Sequence, residues 1–117
     1  MSQFQFVGST DTATSKISWP YLAQGFVLRA KLIDKLPAPQ AFARGVEEFN
    51  TQADEADQMP TDLPVSYTNK NAGSVLYGMR TRFLKRCNDP SVRGHEETRE
   101  IAEGLGLIEA VSDVNES

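Results

Sequence analysis

Cys87 and His95 are the only thiol and the only imidazole in this 117-residue chain. A thiol beside an imidazole is the smallest set that supports cysteine catalysis. Cys87, however, shares one side with Val75, Leu76, Met79 and Phe83 at helical spacing, where free cysteine behaves as a small buried hydrophobe. His95, flanked by Gly94 and by Glu96 and Glu97, reads as an exposed residue in a helix's first turn. A single cysteine excludes an intramolecular disulfide, and one cysteine with one histidine cannot build the common Cys/His zinc sites. There is no EF-hand loop and no HExxH pattern, so no metal is expected.

The adjacent acids Glu47/Glu48 and Glu96/Glu97 diverge on a helix surface instead of sharing a cleft, which acid/base chemistry requires. Residues 69–74, AsnLysAsnAlaGlySer, set a lysine, a glycine and a hydroxyl at a helix start, as a phosphate-cradling turn does. The Gly-Lys-Ser/Thr order of a nucleotide-hydrolysing loop is missing, and Gly73 alone is left to shape the turn. Neither an enzyme nor a cofactor is expected from these residues.

Charge is more informative than motif. The formal net charge of -4 conceals three blocks. Residues 47–62 hold six acids and no base, residues 70–93 hold six bases against Asp89 alone, and from Gly94 onward Arg99 stands against seven acids. A local concentration of one sign makes a field that the whole-chain charge hides, and a basic face is what nucleic acid or an acidic partner responds to.

That basic block lies on a segment, 72–87, whose side opposite the apolar stripe carries Asn71, Ser74, Gly78, Thr81, Arg82 and Lys85. Gly78 in mid-helix costs about 1 kcal/mol relative to alanine, which suggests that something approaches the backbone there. Ser74 and Gly78 would leave a notch open to a phosphate backbone, with Lys70, Arg82, Lys85 and Arg86 to neutralise it. The plainer reading keeps this face structural: Gly78 lets another element of the same domain cross, and Arg80, Arg82 and Arg86 pair with the acidic segments. Arg80 lies nearer the apolar border, where its stem can snorkel over the core.

The elements that must position these groups follow from periodicity. Leu22, Phe26, Ala30 and Ile33 predict a helix over 20–36, with Ser18 as a capping group before Pro20, although 26–33 also suits a buried strand. Pro37 and Pro39 break the chain, and Phe42, Val46, Phe49 and Ala53 predict a helix over 40–53. The acidic stretch 54–64 reads as a solvated loop, and 63–67 as a short strand. Helices are expected at 72–87 and 95–104, the latter stopped by Gly104 or Gly106, with a short strand over 107–111.

The expected fold class is therefore α+β, a small and mostly helical single domain over 15–111 with one or two short strands. Residues 1–14 read as a flexible arm or edge strand, and 112–117 as a disordered tail. No apolar run reaches the roughly 18 to 20 residues that span a bilayer, and the start of the sequence lacks a basic, apolar leader, so no membrane association and a cytoplasmic location are expected. The expected function is that of a non-enzymatic accessory or regulatory protein contacting nucleic acid through Lys70, Ser74, Gly78, Arg82, Lys85 and Arg86. The alternative is an acidic modulator or inhibitor that engages a basic surface of a partner protein through 47–62 and the residues after Gly94.

Overall fold

The structure, a computed structural model, describes residues 17–108, and within them the chain is all-helical. Four helices follow one another, α1 (Tyr21–Leu32), α2 (Ala38–Gln52), α3 (Ala72–Asn88) and α4 (His95–Gly104), with single 3-10 turns at Glu55–Asp57 and Val65–Tyr67. The α+β expectation is corrected: among the described residues there is no strand. Residues 63–67 fail as a strand because Pro64, with φ fixed at -57°, starts a tight turn in which its carbonyl accepts the Tyr67 amide at 2.9 Å. The strand alternative for 26–33 also falls, since α1 runs unbroken to Leu32.

The strand expected from residue 107 is displaced by the way α4 ends. Gly106 takes the left-handed conformation at φ +75°, so that its amide reaches the Glu103 carbonyl at 3.3 Å and the Leu107 amide reaches Ala102 at 2.7 Å. This paired 5→2 and 6→1 bonding is a Schellman stop, and it turns Leu107 fully into the core. Residues 109–111, the arm or edge strand expected over 1–14 and the tail expected over 112–117 lie outside the described residues.

α1 is the central element, buried along Ala23, Gln24, Gly25, Phe26, Val27, Leu28 and Ala30. Pro20 rather than Ser18 occupies its N-cap, and no side chain caps it; the Gln24 amide returns to the Pro20 carbonyl at 3.0 Å and Gln24 Nε2 donates to the Trp19 carbonyl at 2.9 Å. At its other end Lys35 enters the left-handed region at φ +62°, and Pro37 and Pro39 open α2. The two helices form a close hairpin because Gly45 lies directly on Val27: a Cβ added there would stand 2.8 Å from the Val27 amide nitrogen and 2.9 Å from its Cα.

α2 buries Phe42, Val46 and Phe49, as their spacing predicts. Phe42 meets Trp19 at 5.4 Å and Tyr67 at 5.1 Å between ring centroids, the latter edge-on, which fastens the entry to α1 and the second 3-10 turn to α2. The acidic stretch after α2 is tied down by Asn50, whose Oδ1 accepts the Met59 amide at 2.8 Å and whose Nδ2 donates to the Met59 carbonyl at 3.0 Å. Met59 is thereby held in the core while Asp54, Glu55, Asp57 and Asp62 stay exposed. α3 buries Ala72, Leu76, Met79, Phe83 and Cys87, and α4 buries Thr98 and Ala102. No helix among the described residues is long and apolar enough to cross a membrane.

Candidate functional site

The burial of Ala72, Leu76, Met79, Phe83 and Cys87 fixes the rotation of α3, and everything a half-turn away faces outward. Ser74, Thr81, Arg82 and Lys85 are exposed there, with Lys70 exposed just before the helix and Gly78 half-buried between them. Five of the six residues singled out by sequence, Lys70, Ser74, Gly78, Arg82 and Lys85, therefore share one accessible surface. Among the described residues, no carboxylate oxygen lies within 4.0 Å of Lys70, Arg80, Arg82 or Lys85. The ion pairs present run within helices instead, Arg44 with Glu47 at 3.8 Å and Arg99 with Glu103 at 4.0 Å. Among the described residues, no acidic segment neutralises the basic helix.

Nor does any element among the described residues cross at Gly78. A Cβ built on Gly78 meets only Arg82 Nη1, at 3.4 Å, so the arginine lies back along its own helix over the glycine. At Gly73 an added Cβ would meet nothing within 4 Å. Among the described residues the surface is open, and its small residues are not contact points between elements.

Arg86 belongs elsewhere. Its guanidinium is half-buried between α1 and α4, where Nε donates to Thr98 Oγ1 at 3.2 Å and Nη2 donates to Gln24 Oε1. The Tyr21 ring lies 4.4 Å below it and the Phe83 ring 5.8 Å away. Burial lowers the Arg86 pKa from its ordinary value, with Arg82 acting in the same direction and Tyr21 and Cys87 opposing it. Arg86 is thus a polar tie between three helices, and we correct its place among the phosphate-contact residues. The spacing carries the signal: Arg86 falls three residues after Phe83 and seven after Met79, on the border of the apolar stripe.

Four amides of the turn before α3 are taken up within the turn itself: Asn71 on Asn69 Oδ1 at 2.8 Å, Ala72 on the Asn69 carbonyl at 2.9 Å, and Ser74 and Val75 on the Asn71 carbonyl at 3.1 Å, which leaves few to cradle a phosphate. Ser74 and Lys70 contribute to the outer face as individual side chains.

The one residue on this surface that the sequence reading passed over is Tyr77, 67% exposed and the most exposed large hydrophobic of the described residues. Its position is legible in hindsight from its spacing, three after Ser74 and four before Thr81, both on the polar side. Thr81 Oγ1 donates to the Tyr77 carbonyl at 2.9 Å, which holds the threonine side chain down against the helix.

Cys87 is 1% exposed, and burial pushes its thiol pKa up, against the pull of Arg99 and Arg86. His95 Nδ1 donates to the Arg86 carbonyl at 2.8 Å and Arg99 Nη1 to the Cys87 carbonyl at 3.2 Å, so both close the C-terminal end of α3. The thiol is a packing group in this arrangement, and the imidazole caps a helix. Among the described residues no three His, Cys, Asp or Glu side chains gather around a point that could hold a metal ion. A depression of about 670 Å³ between α2 and residues 58–63 carries the already paired Arg44 and Glu47 beside Asn50, Gln58 and Thr61. Comparison with protein families, with characterised proteins and with solved structures finds no match to this chain.

Proposed function

We propose that this chain is a non-enzymatic accessory or regulatory protein that contacts nucleic acid through the outward face of α3. The supporting observation is that Lys70, Arg82 and Lys85 are exposed on one surface with no carboxylate partner among the described residues. An exposed cation without an internal partner loses little on meeting a phosphate, and each such contact releases condensed counterions from the polyanion. Around them Gly73, Ser74 and Gly78 keep the helix surface low, so that a chain of phosphates can lie close to it. Phosphate contacts of this kind give affinity and register without reading sequence.

The test is a salt-titrated binding assay with labelled single-stranded and duplex oligonucleotides. Replacing Arg82 or Lys85 with alanine is expected to weaken binding at low salt and to reduce the log-log salt slope by about 0.7 per lost contact on a single strand or about 0.9 on duplex. Slopes unchanged in both variants remove these residues from the interface.

A second reading is carried by α4, where Glu96, Glu97 and Glu100 are exposed and without an ion pair among the described residues. These would engage a basic protein surface. The same assay separates the two, since a chain acting through α4 binds no oligonucleotide at any salt.

A further inference from the structure

We infer that Tyr77 is a stacking platform and that the α3 surface takes single-stranded rather than duplex nucleic acid. The inference rests on the proposed function and specifies its ligand.

Tyr77 stands 67% exposed in the middle of a helix whose outward neighbours are short. Gly73 and Ser74 lie one turn before it, Gly78 beside it and Thr81 one turn after, the last folded onto the Tyr77 carbonyl. Among the described residues neither Gly73 nor Gly78 has a neighbouring element above it, which leaves the ring approachable by a planar group. A tyrosine in this setting buries little apolar area within the fold. The ring does become useful against a base, because base–aromatic stacking stabilises single-stranded complexes whatever the base.

The charges around it suit the same ligand. Lys85 is eight residues on, about 12 Å along the helix axis, with Arg82 between and Lys70 at the other end of the surface. Cations on both sides of an aromatic ring provide for phosphates flanking the stacked nucleotide. In a duplex the base faces are occupied by their neighbours, and groove reading needs forked donors such as Arg, Asn or Gln aimed at base edges. Of the exposed residues on this face, Asn71, Ser74, Tyr77, Thr81, Arg82 and Lys85, only Asn71 and Arg82 carry forked donors, and the Tyr77 ring between them offers a face that suits an unstacked base.

Equilibrium binding of the full chain is measured against oligothymidine DNA, oligouridine RNA of the same length, and a duplex, for the unaltered protein and for Tyr77→Ala, Tyr77→Phe and Lys85→Ala. The expected result is tighter binding to both single strands than to duplex and a five- to hundred-fold weakening on both by Tyr77→Ala. Tyr77→Phe should retain the affinity, because the ring face and not the hydroxyl makes the contact. Tyr77→Ala should keep the salt slope, whereas Lys85→Ala should lower it, since stacking releases no counterions. If Lys85→Ala lowers the slope but Tyr77→Ala leaves single-strand affinity unchanged, or if duplex is preferred, the stacking inference is overturned while the proposed function stands. If neither single strand nor duplex binds, both fall.

Discussion

Replacing Arg86 with alanine separates a cation that holds the fold from those that serve the surface. In the native chain its guanidinium donates to Thr98 and Gln24 and lies 4.4 Å above Tyr21. Hydrogen bonds from a charged donor contribute about 1.5 to 3 kcal/mol each, and a partly desolvated cation–π contact about 0.5 to 2 kcal/mol. Against these stands the desolvation of a half-buried guanidinium, the main cause of its lowered pKa, which the alanine variant is spared. Thr98 is fully buried and its hydroxyl loses this partner, while Gln24 keeps its bond to the Trp19 carbonyl. The balance is a loss of about 2 to 4 kcal/mol, a large part of the stability of an ordinary domain.

Urea unfolding followed by circular dichroism reads this as a lowered midpoint at unchanged slope. Arg82→Ala, with an exposed side chain and no ion pair among the described residues, is the control and should move stability by less than about 0.5 kcal/mol. A cycle with Thr98→Val should show coupling with Arg86→Ala of at least about 0.5 kcal/mol, because the two groups share a hydrogen bond. An Arg86→Ala protein that unfolds at the native midpoint yet loses salt slope as Arg82→Ala does would refute the assignment and return Arg86 to the surface.

Gly78→Ala should stabilise the chain by up to about 1 kcal/mol, since the added methyl meets only the mobile end of Arg82, and should weaken oligonucleotide binding by raising the helix surface; paired unfolding and binding measurements check it, and a loss of stability contradicts the open surface. Cys87 makes a pH-dependent contribution whose sign follows from its raised pKa: the folded chain holds the thiol proton more tightly than the unfolded one, so the contribution is complete below the unfolded value of about 8.5 and is lost as pH rises through the folded value. Unfolding midpoints should therefore fall more steeply on the alkaline side in the native chain than in Cys87→Ala, and parallel curves count against a buried thiol.

Helix positions were legible because each helix repeats its apolar residues at one period and is bounded by strong punctuation. Phe42, Val46 and Phe49 between Pro39 and the acidic stretch, and Leu76, Met79, Phe83 and Cys87 before Asp89-Pro90, leave little freedom of assignment. The strands failed for the opposite reason. Residues 63–67 and 107–108 belong to short apolar runs in which strand, turn and tail share one composition, and what decides them is the fixed φ of Pro64 and the left-handed turn at Gly106. Arg86 was misplaced because a basic residue at the stripe's border is counted as solvated unless its partners are known, and those partners, Gln24 and Thr98, sit on other helices. Tyr77 carries no charge and no motif, and only its spacing, three after Ser74 and four before Thr81, puts it on the polar side.

The separation of charge on this chain has a geometric cause. α3 turns its buried stripe toward α4, α2 and α1, while the outward residues of α4, Glu96, Glu97, Glu100 and Glu103, are held away from the core by the burial of Thr98 and Ala102. Across the α3–α4 contact the basic groups meet uncharged atoms, Arg86 on Thr98 and Arg99 on the Cys87 carbonyl, while the one ion pair of Arg99, with Glu103, stays within α4. Each helix therefore carries its charge to solvent uncompensated by the other. For a polyanion, the overall charge of -4 opposes approach at long range but is screened beyond about 8 Å at physiological ionic strength, whereas the cations of α3 act at contact. Under the proposed function, affinity at this surface is therefore expected to come mainly from short-range contact, with phosphates on Lys70, Arg82 and Lys85 and a base on Tyr77.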